Sequence, residues 1–250
     1  MNPVNKLHIR PRWLILLFLF LTCGCGMSTN YVVIGSSHNF PYGMKAIDDA
    51  FWWRCTFINV WPKNSEADGA VDLLLAHAVV SPILSQYVDD IPYWRFHRRA
   101  ARDSKGHRFT FLFYSKPEIA FAVFAEIDKS EVLKDSLNAN VVRKVVMDNP
   151  RHPQLPNIGD TSDRLWSSAV QRNWPSYIMG VSSLWLGLIA DYIQNSSKAS
   201  NDIHELLEAY REVDAKITDN WRNEGQHALL HHLNAMFGYQ PMLIRKELSF

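Results

Sequence analysis

The clearest signal in the chain is an alternation of apolar and polar residues that stops at a turn and resumes. Tyr93-Trp94-Arg95-Phe96-His97-Arg98 alternates, Asp103-Ser104-Lys105-Gly106 breaks the pattern, and His107 to Tyr114 resumes it with Phe109, Phe111 and Phe113 on one face. This pattern predicts a β-hairpin. Other stretches carry the helical period instead. Val71, Leu74, Leu75, Ala78 and Val79 share one face of a predicted helix from Ala70 to Val80, with Pro82 bending it or starting another turn. Ser115-Lys116-Pro117-Glu118 has the spacing of a capping box, so a helix is expected over Ile119–Ile127, and a further one over Ser130–Met147.

Four breakers, Pro150, Pro153, Pro156 and Gly159, make Asp148–Asp163 a loop that could divide two subdomains. Two helices are expected after it. The second, Pro175–Ile193, carries a broad apolar set (Tyr177, Ile178, Val181, Leu184, Trp185, Leu188, Ile189, Tyr192) and should be buried on most sides. Asn201 or Asp202 caps the next, whose stripe runs Ile203, Leu206, Leu207, Tyr210, Val213, Ile217, Trp221. Short strands are expected at Tyr31–Ile34 and Met242–Phe250. The class predicted is α+β: mainly helical, with a small antiparallel sheet containing the 93–114 hairpin, in a single domain over residues 31–250.

The N-terminus has a different character. Lys6, Arg10 and Arg12 stand without an acid before an apolar run from Trp13 to Leu21, and small residues follow. That order is the order of a secretory signal, and the run is about half the ~20 residues a spanning helix needs. Leu21-Thr22-Cys23-Gly24-Cys25 then resembles the lipobox of bacterial lipoproteins, with Gly directly before the Cys, although Thr22 stands where the pattern prefers Leu and Cys23 is a second possible cleavage point. The resemblance implies a signal peptide over 1–24, diacylglycerol on Cys25, an acylated new amino terminus and a short tether over 25–30. Several acyl chains give stable anchoring. Gly26 after the Cys implies sorting to an outer membrane, so the membrane itself is the first partner expected.

Composition alters this picture little. The chain has 250 residues, 47% hydrophobic and 20% charged, with a formal net charge of +1, so nucleic acid is not an expected partner. The expected partners are other envelope proteins or anionic envelope polymers. With Cys23 removed and Cys25 lipidated, Cys55 is the only remaining thiol; its neighbours Phe51, Trp52, Trp53 and Phe57 favour a buried, inert group over a catalytic one.

Two constellations could carry chemistry. His227 and His231 stand at i and i+4, the spacing of two metal ligands on a helix, with Glu224 upstream. At about 100° per residue, however, the apolar face jumps near Gly225, which predicts a helix break there and detaches Glu224. Surface histidines, a metal pair and general acid–base groups all fit the pattern. The second constellation is basic: Arg95, His97 and Arg99 fall on one side of the hairpin, where they could hold an anion or simply guard a sheet edge. Phosphate-loop, dinucleotide and nucleophile-elbow motifs are missing, and no cofactor is expected. These readings converge on a lipid-anchored envelope protein with a binding or structural role. The alternative is an envelope hydrolase drawing on histidines from both halves, His97 or His107 with His227 or His231.

Overall fold

The structure, a computed structural model, describes residues 47–60, 68–99, 107–195 and 202–239. All of them belong to one compact unit, Met44–Phe250. The export signal with Cys25, the Tyr31–Ile34 and Met242–Phe250 strands and the Asp103–Gly106 turn lie outside the described residues.

Four strands, β1 (Phe51–Asn59), β2 (Tyr93–Arg98), β3 (Phe109–Ser115) and β4 (Val142–Met147), form one antiparallel sheet in the order β2-β3-β1-β4. The register aligns residues in rows across the strands. Phe96, Phe111, Cys55 and Met147 make one row, and Arg98, Phe109, Phe57 and Val145 the next. Because side chains alternate faces, these rows and Trp53, Phe113 and Trp94 all point to one side. That side is the core. Phe57, Phe109, Phe111, Phe113 and Trp53 are almost wholly buried there, and the Trp53 indole N–H donates to the Ser115 carbonyl at 2.9 Å. Cys55 is fully buried in the same layer, and burial pushes its thiol well above its ordinary range, as an inert group requires.

Helices cover this face. The first is composite: α1 (Ala70–Leu74), a π turn (Leu75–Val80) and α2 (Ser81–Gln86). Pro82 lies inside this continuous composite helix, directly after the π turn, whose wider ladder accommodates the missing N–H. It is followed by α3 (Pro117–Lys129), α4 (Glu131–Asn138), α5 (Ser168–Gln194) and α6 (Ile203–Asn223). The α6 stripe buries Ile203, Leu207, Tyr210 and Val213, and Asp202 caps it through the His204 and Glu205 N–H groups. Tyr210 also meets His77 of the π turn, hydroxyl to Nδ1 at 2.8 Å; burial drives the phenol up to about 12 and the imidazole down, so both are neutral.

The hairpin, the α+β class and the Asp202 cap follow the expectations. Four expectations do not hold. Val142–Met147 is a strand and not a helical continuation: Asn140 turns the chain with φ 56°, and the β-branched alternation beyond it pairs with β1. Ser115 is the last residue of β3 and its hydroxyl bonds the Lys116 carbonyl, so α3 starts from Lys116 with Pro117 in its first turn and no capping box forms. The two helices expected after residue 163 are one, α5, with Pro175 inside it. Finally, α5 is largely exposed; within it only Pro175, Ser182 and Ile189 are buried.

Candidate functional site

The second face of the sheet is divided in two. At one end the loop from Asp148 crosses it and, with a 3-10 turn at Ile158–Thr161, packs Leu155 and Ile158 against Trp52, Leu112 and Tyr114. The loop is fastened by the Trp52 N–H to the Leu155 carbonyl (2.9 Å), the Trp52 indole to the Ile158 carbonyl (2.9 Å) and the Tyr114 hydroxyl to the Pro156 carbonyl (3.1 Å). It therefore covers the sheet and does not separate two subdomains.

At the other end the sheet stays open over a pocket of about 190 Å³ lined by Arg54, Thr56, His97, Arg99, Arg108, Thr110 and Leu112. Its floor is a cross-strand row, His97 beside Thr110 beside Thr56, with the two threonine hydroxyls 3.1 Å apart. Arg54 is held by Asp148 through Nε (3.0 Å) and Nη2 (3.1 Å), which satisfies its charge. Among the described residues, no carboxylate belongs to the lining. Arg108 keeps its buried Nε without a partner, a donor that a bound acceptor would satisfy. Burial, then the charges of Arg95 and Arg99, push the His97 imidazole below its ordinary value, so it lines the pocket as a neutral ring. Of the expected trio, His97 and Arg99 are lining residues. Arg95 shares their face but runs under the loop, where its Nη2 donates to the Thr161 carbonyl at 3.0 Å and burial lowers it to about 10. Arg54 and Arg108 complete the site. Arg108 belongs to the basic run of the hairpin, next to Arg99, whereas Arg54 cannot be placed from the hairpin because only the β1–β3 register brings it across.

A second polar cluster lies on the core side. Asp72, in the first turn of α1, is fully buried and accepts from Asn59 Nδ2 (2.9 Å), Arg98 Nε (2.8 Å) and His107 Nε2 (2.8 Å). The other ring nitrogen of His107 faces the Arg99 carbonyl at 2.6 Å. Both ring nitrogens of His107 are thus engaged inside the fold. The cluster ties the Arg98–His107 end of the hairpin, where β2 runs on toward β3, to α1. Arg98 also lies over the Trp185 ring, 5.1 Å from its centroid.

Asp214 of α6 stands next to this cluster against Gly69, where a Cβ would meet its carboxylate at 2.5 Å. Burial first, then Asp72 and Asp68, raise its carboxyl above 3.8, against the opposing pull of Arg98. The folded chain thus keeps this proton over a range in which the unfolded chain has released it, and stability falls as pH rises through that range. Asp214→Asn is expected to remove the slope. Thermal melting across pH should show the variant above the parent at neutrality, with the two curves meeting below about pH 4.

The C-terminal histidines are elsewhere. After α6 the chain passes Glu224 and Gly225 into a π turn, Gln226–His231, and then α7 (His232–Met236). The phase jump of the apolar pattern therefore comes from the wider π turn. Gly225 itself is right-handed (φ −58°); its lack of a side chain accommodates Trp221, whose ring a Cβ would meet at 3.0 Å. His227 and His231 share a face with ring centroids 5.2 Å apart, both exposed, and His231 also packs on Tyr239. Among the described residues, no group of three or more His, Cys, Asp or Glu side chains is arranged to hold a metal. His97 and His107 point to opposite faces of the sheet.

Comparison with protein-family models, with curated proteins and with solved structures finds no match to this chain.

Proposed function

We propose that this protein is an exported, lipid-anchored component of the cell envelope that binds an anionic group in the pocket on the open half of its sheet. The observation carrying the binding role is the lining of that pocket: Arg99, Arg108 and His97 around a hydroxyl floor, with no acid among the described lining residues. The anchor rests on the lipobox-like Cys25. A hydrolase is less well supported, since His107 has both nitrogens engaged and His97 lies on the other side of the sheet. A structural accessory role would need no such pocket.

The ligand chemistry is that of phosphate or carboxylate, matched by guanidinium donors and threonine hydroxyls. Titration of the protein with inorganic phosphate, followed by calorimetry, is expected to show saturable binding that strengthens as pH falls and His97 gains its proton. Arg108→Ala should weaken it about 10-fold or more, the loss of one charge-assisted hydrogen bond. Absence of saturable binding, or equal binding by Arg108→Ala, would defeat the pocket as an anion site.

A further inference from the structure

Helix α5 has an outer face that the other described residues leave uncovered. Its inner face is fixed: the Ser182 hydroxyl accepts from the Phe96 N–H at 3.1 Å, Trp185 meets Phe96 edge-on at 5.6 Å, and Ile189 is fully buried. About 100° round the helix from that inner face, Val170, Trp174, Tyr177, Val181, Leu184 and Leu188 recur at alternating steps of four and three, an apolar stripe along the helix. Val170, Tyr177, Val181 and Leu184 are exposed, and a Cβ at Gly180 or Gly187 beside them would touch nothing within 4 Å. From Asn173 to Ala190 there is no charged residue at all. A contiguous apolar face of this extent marks a contact surface.

We propose that this face of α5 lies on a lipid surface. Three observations select lipid as the occupant. The charge-free stretch is about 27 Å long at 1.5 Å per residue, so a bilayer can meet it along its length without desolvating an ion. Its N-terminal end carries an aromatic cluster, Trp166–Trp174 at 4.8 Å and Trp174–Tyr177 at 5.2 Å, beside the 92% exposed Leu165. Trp and Tyr with one apolar and one polar side favour the membrane–water boundary. Residues 26–46 between Cys25 and the first described residue can span at most about 75 Å, which keeps the domain within reach of the membrane holding the anchor. This last argument rests on the anchor proposed above. Length and composition would also let α5 cross a bilayer. Its inner-face bonds to β2 instead lay it along the surface, as an interfacial helix lies.

The test uses the full chain, exported and processed in its host and reconstituted into vesicles of phosphatidylethanolamine and phosphatidylglycerol. Val181→Cys carries an environment-sensitive dye, and Val88→Cys, exposed at the end of α2, is the control. The α5 dye is expected to shift to shorter wavelength and to be quenched by nitroxide lipids, while the Val88 dye does neither. A shift without lipid quenching that grows with protein concentration would assign the face to a second copy and overturn the proposal; an unshifted dye would overturn it as well. Mass spectrometry of the same preparation reads the acyl groups on Cys25. An acylated Cys25 with an unshifted dye defeats the α5 surface alone, and an unmodified Cys25 defeats the anchor whatever the dye reports.

Discussion

Asp72→Ala is expected to lower the stability of the folded chain by about 3–5 kcal/mol, the cost of removing one partner from a buried ion pair. Three donors converge on this carboxylate, and they do not share the loss equally. Arg98, with 38% of its side chain exposed, can turn toward water. His107, with 5% exposed, cannot, and neither can the buried Asn59 amide, whose Oδ1 already has no partner. The buried groups that lose this acceptor are therefore His107 and Asn59, and the penalty falls where α1 meets β1 and the start of β3. For a domain of this size the melting temperature should drop by about 6–20 °C. Asp72→Asn keeps the volume and loses only the charge, so it should fall between the parent and the alanine variant. A drop of 2 °C or less for Asp72→Ala, on the same scale, would mean that the cluster has no structural weight.

Much of this cluster could not be read from the sequence, and the reason is physical. Asp72 sits in a helical stretch where an acid in the first turn is unremarkable, and Arg98 and His107 read as members of a basic hairpin. Their convergence depends on the end of that hairpin being packed on α1, a tertiary fact with no local period. The hairpin itself was legible because alternation with three phenylalanines on one face leaves few other ways to bury them. The same alternation placed His97 and Arg99 together correctly. It failed to separate Arg95 from them, because the loop that covers Arg95 has no periodicity of its own. Val142–Met147 was misread because four apolar residues among six fit either period; the β1 edge decides it. In α5, composition signalled burial, while the fold uses only one side of the helix.

Trp52→Ala should be the most damaging single change on the second face of the sheet, at about 3–5 kcal/mol for truncating a buried Trp. The side chain is 1% exposed, lies 5.5 Å from the Tyr114 ring and anchors the loop through its indole N–H. Its removal leaves the Ile158 carbonyl unpaired over a cavity, so part of the cost should appear locally, as release of the loop. Hydrogen exchange is the measurement. The Asp160 and Ser162 amides, which bond the Asn157 and Gly159 carbonyls inside the turn, should exchange faster by more than the global loss of stability accounts for. The consequence for the pocket follows from Arg95. Once the Thr161 carbonyl moves away, this guanidinium loses its acceptor and is free to swing along the row toward Leu112 and Arg54, adding a charge to the open half. Phosphate should then bind Trp52→Ala at least as tightly as the parent despite the lower stability. Weaker binding would show instead that the covered half of the sheet holds the basic half in shape, and that Arg95 does not compensate.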